Sequence, residues 1–255
     1  MSMNKWIFAS VMLMLATGTC VAQPASITSQ PDGAEMILIP AGSFIYGADQ
    51  KEIKTLLKQI KAGWADIYGT EHPRQSRTLQ AFYIDRYEVT NERYNRFVQA
   101  TKRQPTRFAR YPQLNAPKQP VVGIGWGDAE AYCRWSGKRL PTEEEWEKAA
   151  RGTDGRTWPW GNTANATIYN GKGAEFFAPV AAGSYRNSDS PYGVADMSGN
   201  VWEMTSSEWQ DGARVMRGGS FLNRLADVRV TVRWSAEDEV RGANWLGFRC
   251  AQDVK

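Results

Sequence analysis

The chain has 255 residues with 42% apolar content, enough for one large domain or two small ones and too apolar for a disordered chain. Its formal charge of +4 at pH 7 is too mild to point to nucleic acid as a partner. Eleven Trp, 23 Gly and 12 Pro together predict a loop-rich domain, poor in regular secondary structure, whose aromatic side chains carry much of the packing.

Lys5, the apolar run "WIFASVMLMLA" and the small residues ending at Ala22 have the layout of a signal peptide over 1–22. The run is too short to span a bilayer, so no transmembrane segment is expected after cleavage, and the mature chain is expected in the periplasm or outside the cell. Lipid anchoring at Cys20 is the rival reading, for which "TGTC" is a poor lipobox. Cleavage removes Lys5, lowering the net charge to +3, and leaves Cys133 and Cys250. These are either one disulfide or two buried thiols, and an oxidising compartment favours the bridge.

Residues 23–34 read as a flexible lead, and 35–255 as a single domain with no repeat and no internal linker. "AEMILIPAGSFIYG" alternates and predicts a strand or a hairpin. In "DQKEIKTLLKQIKAGW", Ile53, Leu56, Leu57 and Ile60 fall at helical spacing with lysines between them, which predicts an amphipathic helix. That helix either packs on the flank of the domain or serves as a partner-binding insertion. "LQAFYIDRYEVTNERYNRFVQAT" predicts a strand and then a helix capped by Thr90, with Tyr94, Phe97 and Val98 inward. A long surface loop precedes "GDAEAYCRWSGK", a helix with Asp128 as N-cap that stops at Gly137. In the next helix Thr142 and Glu145 form a capping box, three acidic residues sit on the positive end, and Gly152 ends the element. Beyond Gly152 no long helix is expected, and residues 214–235 read as a glycine turn feeding an alternating strand that carries three arginines.

Seven strings in this order, "MILIPAGSF", "FYIDRYEVTNERYNRF", "AYCRWSGKRLPTEEEWEKAARG", "WPWGN", "YGVADMSGNVWEM", "RVMRGGSF" and "LGFRCA", resemble the formylglycine-generating enzyme, or sulfatase-modifying factor, family. The resemblance covers roughly residues 35 to 252 and implies an α+β, C-type-lectin-like fold, with the cysteines of "AYC" and "GFRC", Cys133 and Cys250, paired as in some members. It also implies where an oxidase would hold Cu(I): on two cysteines, at the third and eighth positions after the serine of "GGS". Here those positions, counted from Ser220, are Asn223 and Val228, so no copper is expected. The iron-type chemistry known on this fold needs several imidazoles, and the chain has one histidine, His72, so neither that iron site nor a haem is expected.

What the resemblance leaves is a structural calcium loop, whose ligands would be Asp196, Gly199, Val201 and Glu203. The competing reading is a turn in which Asp196 caps backbone amides and Glu203 pairs with an arginine. A second family calcium site near "ATIYNGKGAEFF" has Thr167 or Ile168 where an asparagine would be expected. Ser220, Asn223 and Arg217 are the candidates for chemistry. Arg217, Arg229, Arg233 and Arg249 either line an anionic groove or pair with Asp227, Glu237, Asp238 or Glu239. Asn165, Ala166 and Thr167 form a glycosylation sequon.

The first functional expectation is an exported, calcium-stabilised accessory or regulatory factor that binds a protein partner in the cell envelope, as some exported relatives do in periplasmic signalling. The alternative is a periplasmic enzyme that acts oxidatively in maturing a small molecule such as a siderophore precursor. Sulfatase activation ranks last, because it would need a new oxygen-activating centre.

Overall fold

The computed structural model describes residues 25–63, 66–71, 73–173, 177–237 and 242–254. The signal-peptide reading of 1–22, its Cys20 alternative and His72 lie outside these residues. In chain order the first half comprises β1 (Ser26–Thr28), β2 (Glu35–Ile39), β3 (Gly42–Tyr46), α1 (Gln50–Gln59), a 3-10 helix (Asp66–Glu71), β4 (Gln75–Leu79), β5 (Phe82–Asp85), α2 (Asn91–Thr101) and α3 (Trp126–Trp135). The second half holds α4 (Glu143–Arg151), β6 (Trp202–Glu208), β7 (Arg214–Arg217), β8 (Arg233–Ala236), β9 (Leu246–Phe248) and β10 (Ala251–Asp253). The strands form a sheet of order β1-β2-β5-β10, a β3-β4 ribbon, and a sheet of order β8-β7-β6-β9 in which only the β6–β9 pair is parallel.

The described part of the lead, 25–34, is part of the domain rather than a flexible tail. β1 pairs with β2, and Asp32 is buried because Lys138 meets its carboxylate at 2.6 Å. Residues 35–46 are two strands in different sheets, not a hairpin: β2 joins β1 and β5, while β3 joins β4. Asp49 caps α1 by accepting from the Lys51 N–H, and Ile53 and Leu57 are buried against Tyr68 and Ala226. The helix therefore packs on the flank of the domain, as its apolar spacing requires.

α2 follows Thr90, which makes no side-chain cap, and sends Tyr94 and Phe97 into the main core beside Tyr132, Trp126, Met204, Met216 and Phe248. α3 starts three residues earlier than the sequence suggests, with Gly125 rather than Asp128 as N-cap; Asp128 lies in the first turn and pairs with Arg103 at 3.1 Å. α4 has the predicted capping box between Thr142 and Glu145 and ends at Gly152. Its Trp146, Ala149 and Ala150 pack on Ile39, Phe82 and Ile84. The Cys133–Cys250 disulfide joins α3 to the segment before β10 across 117 residues.

Residues 214–235 depart most from the sequence reading. Gly218 and Gly219 turn the chain at φ 94° and 74°, Leu225–Val228 is a 3-10 turn, and only Arg233–Ala236 is a strand. The alternation in "DVRVTVRW" does not mark a half-exposed strand, because from Val228 to Val232 both of its faces are buried. Val228, Val230 and Val232 enter apolar surroundings, while Arg229 and Thr231 are held by Glu71.

Candidate functional site

The arginines singled out in the sequence form a buried structural network, with partners far from those expected nearby in sequence. Arg217 is fully buried between the Glu147 carboxylate and the carbonyls of Val230 and Thr231, with its guanidinium 5.6 Å from the Trp146 ring centroid. Arg229 forms a two-pronged pair with Glu71 at 2.9 and 2.7 Å. Arg233 pairs with Glu143 at 2.6 Å, and Arg249 with Glu203 at 2.6 and 2.7 Å. Arg217 therefore does not join Ser220 and Asn223 in a reactive group; buried guanidinium–carboxylate forks of this kind fix geometry.

Ser220 and Asn223 do come together. Asn223 Oδ1 accepts from the Ser220 N–H at 2.9 Å, the Ser220 hydroxyl at 2.9 Å and the Trp202 indole N–H at 3.0 Å. The serine thus gives its proton to an amide oxygen, which is no base near neutral pH, so nothing in this contact activates it as a nucleophile. Val228, at the other position where the resemblance would place a copper cysteine, is hydrocarbon packed with Trp158 and Tyr169.

Beside this knot lies a cleft of about 350 Å³ lined by Trp202, Met216, Leu222, Trp234, Ala236 and Trp245, with Ser220 and Asn223 in its wall. The strand register explains the lining: Met216 faces both Met204 and Trp234, so β6, β7 and β8 present one apolar face. Trp202 and Trp234 meet edge to face at 6.2 Å. Trp234 is 49% exposed and Leu222 42%, so two large apolar side chains stand bare on one rim. Sequence reasoning treated these tryptophans as packing groups. The available signal was a tryptophan between Arg233 and Ser235 on a strand, where polar neighbours leave it facing outward.

In the proposed calcium loop, Asp196 and Asn200 adopt left-handed φ values of 57° and 60°, which aim their side chains inward. Asp196 accepts from the Gly183 N–H at 2.5 Å and lies close enough to interact electrostatically with Glu88, an acidic group the sequence reading missed, which accepts from the Asn200 amide at 2.9 Å. Burial pushes the Asp196 carboxyl up to about 6 and raises that of Glu88 well above its usual range. Glu203 sits against Arg249 and also accepts from the Trp146 indole at 2.8 Å. Three carboxyls thus share one guanidinium, and one oxygen of Glu88 has no partner among the described residues. That surplus of buried acidic oxygen, beside the Gly199 and Val201 backbone, fits a hard cation in charge and donor type. Glu203 fits less well, because Arg249 already neutralises it. Among the described residues no three acidic, histidine or cysteine side chains converge as a ready metal cluster.

The sulfatase-modifying factor enzyme 1-like domain family matches residues 22–254. Inactive C-alpha-formylglycine-generating enzyme 2 of Mus musculus is 32% identical over 86% of this chain and 86% of its own length. The uncharacterized protein YfmG of Bacillus subtilis (strain 168) is 30% identical over 89% of this chain, which spans only 55% of that protein. The structure of PvdO from Pseudomonas aeruginosa superposes with a TM-score of 0.75 at 24% identity, over 92% of this chain and all of that one, a likeness of fold.

Proposed function

The chain belongs to the sulfatase-modifying factor enzyme 1-like family and has its α+β, C-type-lectin-like fold, and from that premise we propose that it is an exported accessory protein that binds a partner protein through the tryptophan cleft. The observation that carries this reading is the cleft itself. Its rim leaves Trp234 and Leu222 bare, while the polar atoms of Ser220 and Asn223 are spent on each other and on Trp202. Tryptophan-lined depressions are where protein interfaces concentrate their binding energy, by burying one apolar anchor of the partner. A related mammalian protein carries the name inactive formylglycine-generating enzyme, so the family includes a member named as lacking that activity. Calcium held at Asp196, Gly199 and Val201, with Glu203 or Glu88 supplying the further carboxylate, would neutralise the buried acidic surplus and stiffen the loop before β6. The apolar face of α1 is covered by the domain and is not the surface offered to the partner in this reading.

The test places a photo-crosslinking residue at position 222 of the full-length chain in its native cell envelope. One specific adduct that disappears when Trp234→Ala is added supports the reading. No adduct from position 222, or one insensitive to Trp234→Ala, overturns it. Elemental mass spectrometry of the mature chain, purified without chelator, is expected to find calcium near stoichiometry; stoichiometric copper or iron would instead direct attention to oxidative chemistry.

A further inference from the structure

The tryptophan cleft does not end at Leu222. That side chain also lines a second depression of about 350 Å³, formed by Ala62, Gly63, Tyr68, Lys172, Arg224, Ala226 and Asp227. The two depressions differ in chemistry. The first is walled by indoles, whereas the second carries two cations with no ion-pair partner among the described residues, Lys172 and Arg224. The carboxylate there, Asp227, is already engaged: it accepts from the Tyr68 hydroxyl at 2.5 Å and from the Arg224 N–H at 3.2 Å. Those donors are uncharged, so Asp227 keeps its charge and offsets one cation, leaving the described lining of this compartment with a net charge of +1.

One residue sets the spacing of the two halves. The side chain of Asn223 holds Trp202 and Ser220 on the indole side, and its carbonyl accepts from the Lys172 N–H at 2.8 Å on the cationic side. Arg224 follows it directly in the chain. The backbone points from which the two cations leave are thus fixed relative to the aromatic wall, while their exposed side chains reach out from there, which favours a ligand with its two groups near one another.

Building on the partner-binding reading, we infer that the groove takes an extended acidic segment of the partner, with an aromatic or large apolar residue seated between Trp202, Trp234 and Trp245 and an Asp or Glu nearby along the same segment against Lys172 and Arg224. Charge complementarity selects this occupant: an apolar anchor alone would leave two cations facing its flanking residues, and a basic flank would be repelled.

The experiment is selection of a random displayed peptide library on the mature chain, on a Lys172→Gln/Arg224→Gln variant and on Trp234→Ala, with thermal melts to show that these surface variants fold. The expected consensus pairs an aromatic residue with an acidic one. In the double variant the acidic preference vanishes while the aromatic preference persists, and the best peptide loses about fivefold to tenfold in affinity, as two rim ion pairs would give. A consensus that is aromatic but indifferent to charge, or an acidic preference that survives the double variant, overturns this inference and leaves the cleft as a partner site. Peptides whose binding is untouched by Trp234→Ala overturn both.

Discussion

Asn223 serves three donors with one oxygen, and two of them, the Ser220 N–H and the Trp202 indole, have no other acceptor shown. Asn223→Ala is expected to cost about 2–3 kcal/mol, because it strands several part-buried donors, whereas Ser220→Ala removes one and costs about 1 kcal/mol. Urea midpoints of the two variants check the order; equal losses would mean that the amide is not the organising group. At this scale the sequence was legible where partners are close along the chain. A serine and an asparagine three apart after a glycine turn were bound to meet. The role of Arg217 was not legible, since its carboxylate belongs to Glu147, 70 positions away on a helix whose orientation only the packing of Trp146 decides.

At the scale of elements, the helical spacing of Ile53 and Leu57 announced α1, but nothing local said what it is for. The structure shows that α1 and the 3-10 helix after it clamp the irregular segment 225–231. Tyr68 donates to Asp227, and Glu71 receives both Arg229 and the Thr231 hydroxyl. This segment was read as a strand because its valines alternate; it is instead held by side chains that arrive from about 160 positions earlier. Glu71→Leu leaves the Arg229 guanidinium buried without a counter-charge, so a loss of about 3–5 kcal/mol is expected. Leu57→Ala opens a void under α1 and is expected to cost about 2–4 kcal/mol. Chemical denaturation measures both, and losses under 1 kcal/mol would show that the clamp is dispensable. Removing residues 49–62 outright would therefore disturb the fold and report little about partner binding.

At the scale of the whole molecule, two fastenings between distant parts of the chain lie away from that clamp. The Cys133–Cys250 bridge closes a loop with a sequence separation of 117, and in the chain-entropy model its loss, as in a Cys133→Ala/Cys250→Ala variant, costs about 4–5 kcal/mol. The second point is Lys138, fully buried, whose ammonium donates to Asp32 at 2.6 Å and to Asp85 at 2.9 Å while Tyr132 donates to Asp32 at 2.9 Å. It joins the N-terminal segment, β5 and the turn after α3, which is why a polar stretch that reads as a loose lead lies inside the domain. Burial drives both carboxyls upward, but at Asp32 Lys138 together with hydrogen bonds from Ala34 and Tyr132 outweighs it, so that carboxyl ends below its usual value, whereas Asp85 ends above. The signs are opposite. The stability contributed by Asp32 is present above its unfolded value of 3.8 and is lost as pH falls through the lower folded value. That from Asp85 is present at low pH and lost as pH rises through its raised folded value. Lys138→Met removes the counter-charge from both, leaving two buried carboxyls that fold best protonated. The variant is expected to be about 3–5 kcal/mol less stable at neutral pH and to recover as pH falls toward 4, whereas the parent weakens below 4. Unfolding midpoints across that range decide the matter: parallel pH profiles for parent and variant would remove Lys138 as the joint between the N-terminal segment and the core.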